Sequence, residues 1–181
     1  MKAGANAKVH ETNTEKMILA TDVDYREDKA IAAGVLFQHW NDPAPSTEII
    51  TPIASVAEYE PGRFYKRELP CLLELLKQLA QLPECIVIDG YVYLGNERKA
   101  GLGKHLYEAL QGRVPIIGVA KTRFQDTPQE TEVYRGGSTR ALYVTAIGLD
   151  EAEAKALVPQ MHGQHRIPSL LKRVDQLSKT V

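Results

Sequence analysis

Apolar and polar residues alternate with a period of two between Lys16 and Tyr25, the signature of a half-buried strand. Ile18, Ala20, Asp22 and Asp24 share one face, and Leu19, Thr21, Val23 and Tyr25 share the other. Two carboxylates therefore lie on a face that is otherwise apolar. A charged turn, Arg26-Glu27-Asp28-Lys29, leads into a second strand over residues 30–40, where small side chains suit close backbone approach. Asn41-Asp42-Pro43-Ala44-Pro45 interrupts it, and residues 46–53 read as a third strand, so the spacing predicts an antiparallel meander.

Downstream the period lengthens. Pro61-Gly62 marks a loop. Pro70 suits the first turn of a helix and pushes the residue before it toward extended geometry, so a helix is expected from near Pro70. It would turn Leu72, Leu73, Leu75, Leu76 and Leu79 inward, with Glu68 just ahead of it and Pro83 closing the segment. Cys85-Ile86-Val87-Ile88 is a β-branched run that ends in Asp89-Gly90. It reads as a buried strand delivering a carboxylate to the carboxyl edge of an α/β sheet, where such sheets place their chemistry. A polar stretch over 95–99, a helix over 101–110 closed by Gly112, and an apolar strand over 114–120 ending at Lys121 imply a right-handed parallel crossover. A loop over 122–130 precedes a hairpin around Gly136-Gly137. Asp150 and Glu153 resemble a helix cap and its reciprocal partner, opening a helix that stops by Gly163. A last helix is expected over 168–179.

Three antiparallel strands, a helix, and two parallel strands separated by a helix describe an α/β, ribonuclease-H-like mixed sheet flanked by helices. In that topology the first and fourth strands are neighbours, so Asp22 and Asp89 converge and Glu68 can reach the same point. Three carboxylates aimed at one spot repel each other unless a divalent cation lies between them. Magnesium suits oxygen ligands and keeps positions open for substrate phosphates. Ions held this way can activate water and neutralise a leaving oxygen, the logic of phosphodiester hydrolysis. Each acid taken alone has a plainer reading. Asp22 can be an acid at a strand end, Asp89-Gly90 a turn pair, and Glu68 a residue favoured by a helix dipole. The case rests on the set of three.

The chain of 181 residues is 44% hydrophobic and 25% charged, enough for one domain over 16–181 behind a flexible N-terminal tail over 1–15. A net charge of -1 gives no global pull toward nucleic acid, so phosphate binding would need local cations or metal. Two cysteines are too few for a disulfide framework or metal cluster. With no signal-like or membrane-length apolar run, a soluble, cytoplasmic protein is expected.

In order and spacing, six blocks resemble those of endonuclease V across nearly the whole chain. They are Ala20-Thr21-Asp22-Val23-Asp24-Tyr25, Tyr59-Glu60-Pro61-Gly62-Arg63-Phe64-Tyr65-Lys66-Arg67-Glu68, Val87-Ile88-Asp89-Gly90, Arg98-Lys99-Ala100-Gly101, Val114-Pro115-Ile116-Ile117-Gly118-Val119-Ala120-Lys121 and Arg166-Ile167-Pro168. The resemblance implies a nucleic-acid repair endonuclease that cuts one strand of DNA or RNA near a deaminated base, chiefly hypoxanthine, using Mg2+ or Mn2+. It implies that Asp22, Glu68 and Asp89 are the metal-binding catalytic carboxylates. Tyr59, Pro61 and Gly62 would form the family's Tyr-x-Pro-Gly wedge, which props open a single-stranded or locally opened substrate as the base turns out. Gly90 would line the base pocket and Lys121 would contact a phosphate. The chain departs from the family in two places. Ala146-Ile147-Gly148 stands where a Pro-Gly-His turn is usual, and Gly95-Asn96-Glu97 where a His-Pro is common. Asp150 is a candidate substitute ligand for the absent histidine, beside its plain reading as a cap. His105 reads as a packed or surface histidine, and His162 and His165 have no assigned role. The alternative function is a catalytically impaired relative that binds single-stranded or structured nucleic acid. Three acids in a groove repel phosphates unless metal is present, which favours the enzyme. The preferred nucleic acid, the metal used and the oligomeric state are left open.

Overall fold

The computed structural model describes residues 16–180, so the expected tail lies outside the described residues. The meander forms as expected. β1 (Ile18–Arg26) pairs antiparallel with β2 (Lys29–Phe37), which pairs antiparallel with β3 (Thr47–Ile53). β2 ends at Phe37 because Asp42 turns back and its carboxylate accepts the backbone N–H groups of Gln38 and His39 at 3.0 and 2.9 Å.

β4 (Cys85–Asp89) lies parallel to β1, and β7 (Ile116–Ala120) parallel to β4. Between them a short hairpin, β5 (Tyr93–Leu94) with β6 (Lys99–Ala100), occupies the stretch read as merely polar. Arg98, at φ 52°, lays its guanidinium over the Tyr93 ring at 4.1 Å and pairs with Glu151 at 2.8 Å, which fixes the turn. A 3-10 turn, Gln129–Thr131, leads to β8 (Glu132–Val133), and β9 (Leu142–Ile147) runs antiparallel to both β8 and β7. The sheet order is β3-β2-β1-β4-β7-β9-β8, a ribonuclease-H-like mixed sheet.

Period-two alternation sends opposite faces of these strands into separate cores. Ile18, Ala20, Val35, Val87, Ile117 and Val144 pack under α3 (Glu151–Gln160) and α4 (Ser169–Ser178). Leu19, Ile86, Ile88 and Ile116 meet α1 (Tyr65–Leu76) and α2 (Leu102–Ala109) on the other side.

Two expectations need correction. α1 begins at Tyr65, so Pro70 lies inside it and Glu68 occupies its first turn instead of preceding it. Proline removes the bond to the carbonyl four residues back. Here that carbonyl belongs to Lys66, and both Lys66 and Pro70 are exposed, so water can serve it. Asp150 is the N-cap of α3 in backbone geometry, yet its carboxylate makes no capping hydrogen bond. Among the described residues, no helix is long and apolar enough to cross a membrane.

Gly118, in β7, shows how closely the site edge is packed. A Cβ there would sit 2.6 Å from the Gly90 carbonyl oxygen, just past β4, and 2.8 Å from Thr145 Oγ1 of β9. Gly118→Ala is expected to cost about 1–3 kcal/mol through overpacking. Thermal unfolding checks this, and an unchanged midpoint would contradict the packing described.

Candidate active site

The β1–β4 pairing is recorded as far as Ala20 opposite Val87, and two residues beyond each stand Asp22 and Asp89. Both therefore arrive at the same level and on the same face, the one that α4 covers. A small cavity at the parting strands is lined by Asp22, Asp89, Thr21 and Lys121, with Leu171 and Val174 of α4 above it. Asp22 is buried and Asp89 half-buried.

Glu68 reaches this edge from the opposite layer. Its position follows from its neighbour Arg67, which stacks over Tyr25 at 4.1 Å and donates to the Glu27 carbonyl at 3.3 Å, tying the start of α1 to the β1–β2 turn. Burial, then repulsion from Asp89 and Asp22, pushes the Glu68 carboxyl up to about 8. Burial and the Asp89 charge likewise push Asp22 up to about 7, against opposing contributions from Ser178 and Lys121. Lys121 supplies the nearest cation, its Nζ 3.3 Å from Asp89 Oδ2. Arg166 steadies that end of β7 by donating to the Lys121 carbonyl and, at 2.9 Å, to the Ala141 carbonyl.

α4 adds two groups that the motif reading missed. Ser178 is fully buried, its Oγ 3.1 Å from Asp22 Oδ2 and 2.8 Å from the Asp175 carbonyl. Its single proton can serve one of these at a time. Protonated Asp22 would satisfy both by donating to Ser178, which then donates onward. Burial acts to raise the Asp175 carboxyl, but the hydrogen bond from Lys179 and the charges of Lys121 and Lys179 hold it below the usual range. Asp175 and Ser178 are one turn apart, beside the buried face Leu170, Leu171, Val174 and Leu177. That spacing was the available signal.

Asp150 does not approach this edge. Along β9, Val144 pairs with Val119 at the level of Asp89, while Ile147 pairs with Ile116 at the far end of β7. Three residues of strand separate the two levels, about 10 Å. A side chain at position 148 would stand against Pro115 and Tyr107. The 146–148 turn and Asp150 therefore lie away from the carboxylates, and the further acid near Asp22 is Asp175 of α4.

The residues expected to form a wedge, Tyr59, Pro61 and Gly62, lie in the loop before α1. Tyr59 is 61% exposed, and Pro61 and Gly62 are exposed, Gly62 at φ 76°. Gly62, Arg63 and Tyr65 form one wall of an open cleft of about 790 Å³, facing the β5–β6 hairpin and Phe124 to Asp126. In its floor His105 stacks on Tyr65 with ring centroids 3.7 Å apart. Gly90 does not line this cleft. It adopts φ 147°, with open space where a Cβ would be. His162 is occupied by a 2.9 Å contact with Ser169, and the His165 carbonyl accepts from Arg135 at 2.7 Å.

Oxygen donors that are buried and mutually repelling suit a hard divalent cation. Among the described residues, however, no three acidic, histidine or cysteine side chains converge closely enough to enclose an ion. Magnesium does not require that, because it commonly keeps several waters and takes only one or two carboxylates. Asp22 and Asp89, with Glu68 and Asp175 close by, are the residues that would hold such an ion.

An acidic carboxyl edge between the first and fourth strands of such a sheet defines a ribonuclease-H-like protein. The family model for Endonuclease V matches residues 2–157, and the chain belongs to that family. It is 30% identical to the endonuclease V of Pyrococcus horikoshii over 92% of this chain and 75% of that one. It spans about half the length of several other curated relatives, 49%, 57% and 54% for three of them. Among solved structures, endonuclease V from Streptomyces avermitilis superposes with a TM-score of 0.70 at 27% identity, covering 90% of this chain and 79% of that one. Endonuclease V from Ciona intestinalis, solved with a 23mer DNA containing an inosine followed by a ribo-adenosine, has the same fold, with a TM-score of 0.70 at 18% identity over 93% and 86%.

The raised carboxyls have a measurable consequence. Between the unfolded values near 4 and the folded values near 7 and 8, the folded state holds more protons than the unfolded one, so stability falls as pH rises through that window. Without divalent ions, the thermal midpoint is expected to drop between pH 5 and 8.5. The drop should shrink in Asp22→Asn and Glu68→Gln. An equal drop in both variants would place its cause elsewhere.

Proposed function

We propose that the chain is a divalent-metal-dependent endonuclease that hydrolyses a phosphodiester near a deaminated base, hypoxanthine or inosine, in DNA or RNA. The observation that carries this reading is the set of acids held at the parting of β1 and β4 against burial and mutual repulsion, beside Lys121. Family membership and the inosine-containing DNA bound by the Ciona protein support the substrate class.

Asp22 and Asp89 would hold Mg2+ or Mn2+, with Glu68 and Asp175 completing the ionic surroundings. When bound, such an ion lowers the pKa of an attacking water and offsets charge on the phosphate and leaving oxygen. Lys121, poised on Asp89, can turn its ammonium to a substrate phosphate once the carboxylate is otherwise neutralised. Ser178 fixes the orientation of Asp22 through its 3.1 Å contact. Tyr59, exposed in the loop three residues before Gly62 of the cleft wall, would fill the place of an extruded base, while the cleft between Tyr65, His105 and the β5–β6 hairpin receives that base. A protein that only bound strands would gain nothing from burying acids where phosphates must lie.

End-labelled strands carrying one inosine test this. With Mg2+ or Mn2+, a single cut near the inosine is expected. Asp89→Asn should reduce it by more than about 100-fold while sparing binding, and Asp175→Asn by roughly 10- to 100-fold. Unimpaired cleavage by Asp89→Asn would remove the carboxylate edge from the mechanism. Absence of any cut in the wild type, with strand binding retained, would favour the binding-only alternative.

Extruding a paired base costs a few kcal/mol, and less from a single strand. Tyr59→Ala should therefore impair cleavage of an inosine in a duplex more than in a single strand. Equal impairment of the two substrates would deny Tyr59 its wedge role.

A further inference from the structure

The loop over 121–127 has two sides. Phe124, Gln125 and Asp126 face the cleft, whereas Lys121, Thr122 and Arg123 line a second recess of about 280 Å³ behind it, closed by Tyr134, Arg140 and Arg166. Four cations thus gather in one small space on a chain whose net charge is -1. Their commitments differ. Lys121 sits on Asp89, Arg166 holds the Lys121 and Ala141 carbonyls, and Arg123 donates to the Thr127 carbonyl at 3.0 Å. Arg140 is exposed, and its charge, after burial, helps lower the pKa of Arg166. Among the described residues, no carboxylate forms an ion pair with Arg123, Arg140 or Arg166.

Like charges held this close are unfavourable unless an anion joins them. An aromatic ring stands among them. Tyr134 is 57% exposed, and its hydroxyl donates to Glu132 Oε2 at 2.9 Å, so the ring is held at the surface and not packed into the core. Guanidinium groups interleaved with an exposed ring are the elements of single-strand recognition, the first for phosphates and the second for stacking. Lys121 lines both this recess and the carboxylate cavity, so the two are neighbours across its side chain.

We propose that this recess binds the substrate strand on the far side of the scissile phosphate from the extruded base, with Arg123 and Arg140 taking backbone phosphates and Tyr134 stacking on a base. The proposal rests on the nuclease reading of the carboxylate edge. It divides the strand around the 121–127 loop, with the base in the cleft, the scissile phosphate at Lys121 and the remaining strand across the arginines.

The test is fluorescence anisotropy in an Asp89→Asn background with Mg2+, so that strands survive. Inosine strands that stop at the scissile phosphate are compared with strands running about four nucleotides beyond it. The extension is expected to tighten binding roughly tenfold. Arg140→Gln and Tyr134→Ala should each lose most of that gain while binding the short strand normally. For Arg140→Gln, the dependence of log affinity on log salt should fall by about 0.7 for the lost phosphate contact. Lys77→Gln, which removes an exposed charge at the end of α1, should keep the full gain.

No gain on extension, or equal weakening of both strands by Arg140→Gln, would overturn the proposal. So would millimolar inorganic phosphate that erased the gain, since that marks a simple anion site. Repeating the series with the inosine replaced by guanosine separates the two claims. If only the deaminated-base reading fails, both base types bind alike, and the gain from extension and its loss in Arg140→Gln persist.

Discussion

The repulsion among Asp22, Glu68 and Asp89 is the constraint on which the rest of the site depends. Two of these acids are carried to the same level because β1 and β4 run parallel in fixed register, and they emerge where that pairing stops. The third comes from the opposite layer. Burial then denies them the water that would screen their charges, so Asp22 and Glu68 stay protonated to about 7 and about 8 unless a cation arrives. In the proposed function, a bound cation would relieve this repulsion as it displaces the protons.

Much of the surrounding structure holds these groups in place. Arg67 bridges α1 to the β1–β2 turn through Tyr25 and Glu27, which sets the position of Glu68. Ser178 buries its hydroxyl against Asp22, and the apolar face of α4 covers the cavity with Leu171 and Val174. Arg166 fastens the end of β7 to the residue before β9, so Lys121 and the basic recess share one rigid frame. The hydrogen bonds among them join residues between 25 and 156 positions apart in the chain. The site therefore forms only with the complete fold.

The sheet was largely legible in the sequence because period-two patterning and β-branched runs report burial directly. The 18–26 and 85–89 strands, and with them Asp22 and Asp89, follow from that pattern alone. The start of α1 was not legible. Pro70 looks like a first-turn residue, and only the exposure of Lys66 shows why the helix tolerates it. The β5–β6 hairpin has two residues per strand, too short for any period to appear, and is held by the packing of Arg98 on Tyr93. Asp150 was misjudged because nearness in sequence to a family turn does not reveal which edge of the sheet an antiparallel strand delivers it to. Asp175 is harder to find for the complementary reason: its spacing shows that it flanks the buried face of α4, but only the fold shows that this face lies over β1.

Proton release on metal binding tests the central claim most directly. Titration calorimetry with Mn2+ at pH 7, in buffers of different ionisation enthalpy, counts the protons displaced per ion. If Asp22 and Glu68 are held protonated by burial and mutual repulsion, binding should expel about one proton per ion, fewer at pH 9 and fewer in Glu68→Gln. Tight binding with no proton released at pH 7, unchanged in Glu68→Gln, would mean that the ion sits elsewhere and that these carboxylates are not its site.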